Sequence, residues 1–209
     1  MGVTIHFQGI LQDKRQINSF IEELTDIAQT MNWEWQILDE DWTKPSTAKL
    51  TGNKDNREIT GHLALKGITI HLHPDCETLD LFFDAEGHLT SPLAMALYHA
   101  EGNDYKYYNS VKTQFAPPDI HITIIKLLKY LQKKYIPNLE VEDEGGYWDS
   151  EDKNELEKRL AFINDKIKEL GDMFAEIPVI ETQQYSAEQL AAIIEERLKN
   201  LPGTGTEKQ

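Results

Sequence analysis

The sequence predicts an α+β fold: a mainly antiparallel sheet with helices packed against it, plus a C-terminal amphipathic helix. Two patterns lead to this class. In the first half, short alternating runs follow one another across short connections, which implies antiparallel pairing. In the second half, apolar residues recur every three or four positions, as on helices that bury one face.

Val3–Gln8 alternates Val3, Ile5 and Phe7 with Thr4, His6 and Gln8, as a half-buried strand does. Asp13 with Gln16 reads as a capping box, and Ile17, Phe20, Ile21, Leu24, Ile27, Ala28 and Met31 form the stripe of the helix that follows. Trp33–Trp42 is a second strand and Lys44–Asn56 a polar loop. Glu58–Leu65 and Ile68–His73 are expected to form a hairpin about Lys66-Gly67, followed by strands at Thr78–Asp84 and His88–Ser91 around the turn Ala85-Glu86-Gly87. Leu93–Tyr98 reads as a short helix and Val111–Phe115 as a further strand.

Pro117-Pro118-Asp119 opens a helix whose core face is Ile120, Ile124, Leu127, Leu128 and Leu131, and which stops before Pro137. Leu139–Glu144 is an acidic, alternating segment closed by Gly145-Gly146. A long helix follows, capped by Asp149 or Ser150, with Leu156, Leu160, Ile163, Ile167, Leu170 and Phe174 along one stripe. Residues 1–175 are thus expected to form one α+β domain, 176–200 a connector and a C-terminal helix, and 201–209 a disordered tail. Leu201–Gly205 fits the Leu-Pro-x-Thr-Gly pattern of sortase substrates, but no apolar segment follows it.

The formal net charge is −15. A field of that sign repels phosphate backbones and anionic membrane surfaces, so neither nucleic acid nor membrane is expected as a partner. Basic protein surfaces and metal ions are favoured. No apolar run is long enough to span a bilayer, no secretory signal opens the chain, and Cys76 is the single cysteine, so a cytoplasmic location is expected. Acidic neighbours on both sides, Asp75 and Glu77, suppress the Cys76 thiolate and argue against a nucleophile.

The candidate chemistry lies in three histidines. A tight turn at Lys66-Gly67 sets His62 opposite His71, with His73 two residues on along the same face. Three imidazoles so placed, with Glu77 or Asp75 as a fourth ligand or general base, suit one divalent transition metal and an activated water. A one-residue slip of register turns His62 to the opposite face. The lysines at 126, 129, 133 and 134 read as a solvated helix face beside acidic neighbours. Glu140, Glu142, Asp143 and Glu144 read as a solvated strand and turn.

The order His71-Leu-His73-Pro-Asp-Cys-Glu77 resembles the metal-binding core of cupins, a resemblance that implies a jelly-roll metal site. The glycine spacings and the second motif of that family are missing here. Four stretches together, Val3-Thr-Ile-His6, Gly61 to Glu77, Val111-Lys-Thr-Gln-Phe-Ala116 and Leu139 to Trp148, resemble a group of bacterial proteins with no assigned activity. That resemblance spans most of residues 1–170 and implies a bacterial origin and a shared fold.

Two readings of function follow. In the first, the chain is a non-catalytic acidic binding protein of the cytosol, a regulator or immunity-type inhibitor that covers a basic partner. In the second, it is a metal-dependent enzyme, a hydrolase built on His62, His71 and His73.

Overall fold

A computed structural model describes residues 3–53, 56–101 and 109–175, and its class is α+β. In chain order the elements are β1 (Thr4–Gln8), α1 (Ile17–Thr30), β2 (Glu34–Asp39), β3 (Lys49–Asn53), β4 (Asn56–Thr60), β5 (Lys66–His71), β6 (Leu79–Phe83), β7 (Leu89–Thr90), α2 (Pro92–Glu101), β8 (Asn109–Lys112), α3 (Pro118–Lys134), β9 (Glu140–Asp143), α4 (Tyr147–Ser150) and α5 (Lys153–Ala175). The chain divides into two compact units, Met1–Leu160 and Ala161–Gln209. In the second unit the described residues are the later turns of α5, where Lys166 pairs with Glu169 at 2.7 Å. The expected connector, C-terminal helix and tail lie outside the described residues.

Among its described residues the first unit holds three antiparallel sheets in place of the single one expected: β8-β1-β9, β2-β5-β6-β7 and the pair β3-β4. The two larger sheets are laced at two places. Leu11 N–H donates to Gly87 C=O and Leu89 N–H to Gly9 C=O, around a bridge between Ile10 and His88. Elsewhere Glu77 N–H donates to Lys112 C=O at 3.1 Å, and Lys112 N–H returns a bond to the Glu77 carboxylate at 2.8 Å.

Alternation decides what is buried. Ile5 and Phe7 of β1, Ile68 and Ile70 of β5, and Leu79, Leu81 and Phe83 of β6 enter one core with the stripes of α1 and α3. Phe20 on α1 sits edge-on to Phe83 and to Tyr135, with ring centroids 5.1 and 5.2 Å away, a favoured aromatic geometry. Asp13 accepts from Arg15 N–H and opens a short 3-10 turn, Lys14–Gln16, ahead of α1.

Four local expectations are corrected. Lys44–Asn56 is not simply a loop: Lys49–Asn53 pairs with Asn56–Thr60, and both strands are so exposed and polar that no alternation marks them. The strand expected at Val111–Phe115 begins earlier, at Asn109, and Thr113–Ala116 is a turn closed by Ala116 N–H on Thr113 C=O. Helix α5 is capped by Asp152, which accepts from the N–H groups of Asn154 and Glu155, because left-handed Glu151 (φ 52°) separates the short α4 from it.

The fourth concerns the histidine hairpin, which does not form. Left-handed Gly61 (φ 91°) and Ala64 (φ 57°) break the extended run after Thr60. Lys66 and Gly67 begin β5 instead of turning, opposite Asp39 and Leu38 on one side and Phe83 and Phe82 on the other. A Cβ at Gly67 would lie 2.1 Å from the Leu81 carbonyl oxygen, so this glycine serves close strand approach rather than a bend.

Candidate functional site

The three histidines stand apart. His71 lies opposite Glu34 at one end of β2, with Nδ1 3.9 Å from the Glu34 carboxylate. His62 lies beyond the other end, with Nε2 3.7 Å from Glu40 and Nδ1 3.2 Å from the Pro45 carbonyl. Glu34 and Glu40 are six residues apart in sequence, which puts the two rings roughly 20 Å apart along an extended chain. His73 Nδ1 accepts from Asp75 N–H at 3.1 Å. Glu77 is tied to the β8 backbone, as above. Among the described residues no group of three or more His, Cys, Asp or Glu is placed to hold a metal ion. The set His62, His71, His73 and Glu77 is therefore not brought together, because the register that would unite it belongs to a hairpin the chain does not make.

A different constellation is assembled. Segment 77–78 and β6, the Ser91–Leu97 stretch that opens α2, the start of β8, and Ile59 of β4 enclose a cleft of about 680 Å³. Local sequence explains each wall. Ser91 caps α2, its Oγ accepting from Ala94 N–H at 3.1 Å with Pro92 at the first helical position. Asp80 alternates with buried Leu79 and Leu81, so it faces away from the main core. The Glu77–Lys112 bonds hold β8 against the approach to β6.

The cleft is acidic on one side and apolar on the other. Among the described residues its charged lining is Glu77 and Asp80, and Pro92, Leu93, Ala94 and Leu97 form the apolar wall. Burial pushes the Asp80 carboxyl above its ordinary range; the hydroxyls of Thr69 and Thr78 oppose this, and the Glu77 charge adds to it. Asn109 lines the cleft at only 3% exposure, and among the described residues neither Oδ1 nor Nδ2 has a hydrogen-bond partner. Both atoms are closed to solvent, so the Asn109 side chain belongs to the floor of the cleft.

A second buried cluster went unread in the sequence. Thr113 Oγ1 lies 2.7 Å from His121 Nδ1, and His121 Nε2 lies 3.1 Å from Asp143 Oδ1. The latter approach departs from hydrogen-bond geometry. Asp143 also accepts from Gly145 N–H at 2.7 Å and Trp148 N–H at 2.9 Å. Burial raises the Asp143 carboxyl, but His121 and these two donors outweigh it, and the group sits below its ordinary value. Hydroxyl, imidazole and carboxylate stand in the order of a hydrolase relay. Thr113 and His121 are fully buried, however, and Thr113 also bonds the Val3 carbonyl, so no substrate reaches the hydroxyl. The cluster pins β9 and α3 together. Its signals were available: His121 falls on the core side of α3, and Asp143 shares the inward alternation of Val141.

Other expected features behave as read. Cys76 is buried, and burial, then the Glu77 charge, push its thiol up to about 11. Lys129 pairs with Glu151, and Lys134 with Glu23 at 2.7 Å, so that stretch of α3 is matched by acidic neighbours. No helix among the described residues is long and apolar enough to cross a membrane. No protein-family model, curated protein or solved structure matches this chain.

Proposed function

We propose that the protein is a non-catalytic acidic binding protein, and that it receives a basic segment of a partner protein in the cleft between β6, β8 and α2. The observation that carries this reading is the lining of that cleft, which joins the carboxylates of Glu77 and Asp80 to the apolar Pro92, Leu93 and Leu97. A Lys or Arg answers the carboxylates, and its methylene stem suits the apolar wall of Pro92, Leu93 and Leu97. The net charge of −15 steers such a partner toward the molecule. The metal-enzyme reading lacks comparable support, since its ligands are dispersed.

The test is a titration of the isotope-labelled chain with short Lys- and Arg-rich peptides and with acidic peptides of matched length, read by backbone amide shifts. Basic peptides should move Asp80, Asn109 and Ser110, lose affinity as salt rises, and lose it again in Asp80→Asn. Equal responses to acidic peptides, or shifts confined to other surfaces, would overturn the reading.

A further inference from the structure

Strand β2 is an open edge. It pairs with β5 on one side, and among the described residues no strand pairs with the other. Glu40 N–H donates to Leu65 C=O, which sets the phase of the ladder. Counting back in steps of two, Leu38, Gln36 and Glu34 turn their N–H and C=O groups toward β5. Trp35, Ile37 and Asp39 turn theirs outward. Few devices blunt this edge: Glu34-Trp-Gln-Ile-Leu-Asp39 contains no Pro and no Lys, its charges stand only at its two ends, and its pairing with β5 is continuous. Trp35 is instead 40% and Ile37 45% exposed.

We infer that this edge pairs with β2 of a second copy of the chain, antiparallel, about a two-fold axis through Gln36. Such an axis keeps the faces of both sheets aligned, so opposed residues must come from the same face. Few registers satisfy that. Centring on Ile37 sets Glu34 against Glu40 and Trp35 against Asp39, opposing like charges. Centring on Trp35 sets Asp39 against Met31, which lies outside the strand, and the ladder shortens. Centring on Gln36 sets Trp35 against Ile37 on both sides of the axis and Glu34 against Leu38. Aromatic meets β-branched, and no carboxylate faces another.

The backbone phase agrees with that register. Trp35 and Ile37 carry the outward groups, so each Trp35–Ile37 pair exchanges two hydrogen bonds, and the central Gln36 pair is the close, non-bonded kind. The two four-stranded sheets become one. Strand β5 separates β2 from β6, so the pairing leaves the acidic cleft open and does not depend on its function. Since each copy carries −15, association strengthens as salt screens the repulsion.

The experiment is sedimentation velocity on the full chain from micromolar to sub-millimolar concentration, at low and high salt, with disulfide trapping to read the register. In a Cys76→Ser background, Gln36→Cys places two thiols across a non-bonded pair with Cα atoms about 4.5 Å apart, within disulfide reach. Leu38→Cys, which faces Glu34, does not. The expected results are a concentration-dependent dimer, trapping at 36 but not at 38, and at least about tenfold weaker dimerisation in Ile37→Glu with unchanged circular dichroism. A monomer under all conditions, a dimer indifferent to Ile37→Glu, or equal trapping at both positions overturns the inference.

Discussion

Replacing Asp143 with Ala should be among the most damaging single changes in the first unit. The carboxylate is 1% exposed, as is the His121 ring it faces, and it accepts the N–H groups of Gly145 and Trp148. Two hydrogen bonds to a charged acceptor contribute about 1.5–3 kcal/mol each. Losing both together gives on the order of 4 kcal/mol. With a urea slope of about 2 kcal/mol per molar, the unfolding midpoint should fall by about 2 M. Asp143→Asn should lose about half as much, since its oxygen still accepts one N–H while its amide nitrogen confronts the other. Tryptophan fluorescence is the readout, because Trp148 sits on the affected turn. The sign with pH follows from a folded value held below the ordinary one. The contribution is full above about pH 4, the ordinary aspartate value, and is lost as pH falls through the folded one. The gap between native chain and variant should therefore narrow on acidification. A midpoint drop under about 0.5 M at neutral pH would refute the assignment of this cluster as a structural pin.

Other outcomes follow from the same geometry. Asp80→Asn should unfold at equal or higher urea than the native chain at pH 7. Burial raises the Asp80 pKa, so its ionised form costs stability as pH rises through that value, and an amide oxygen still accepts from Thr69; a clear drop in midpoint would contradict this. Cys76, with a thiol pushed up to about 11, should alkylate on the order of a hundredfold more slowly than a free thiol near pH 8. Mass spectrometry after timed iodoacetamide treatment checks it, and labelling at the rate of glutathione would count against the buried placement. Gly67→Ala drives a Cβ to 2.1 Å from the Leu81 oxygen and 2.7 Å from Phe82 Cα, both backbone atoms. A loss of at least about 1–3 kcal/mol is expected in the same urea assay, and a variant as stable as the native chain would show that β5 does not approach β6 so closely.

The sequence by itself determined what repeats locally. The stripes of α1 and α3, the arrest of α3 ahead of Pro137, the Ala85–Gly87 turn between β6 and β7, and the acidity of the whole all follow from the spacing of side chains a few residues apart. Tertiary structure decided which of those pieces meet. His62 and His71 share a plausible register on paper, yet the backbone turns at Gly61 and Ala64, and β5 takes β2 and β6 as its neighbours. Asp80 and Asn109 are unremarkable in sequence; they meet because β8 pairs with β1 on one side and is tied to Glu77 on the other. His121 and Asp143 join for a similar reason, since β9 pairs in register with β1 and brings Asp143 level with buried Ile5. Periodicity states which face of an element is buried. Register and long-range pairing depend on closing backbone hydrogen bonds between distant segments, and a single left-handed residue redirects them.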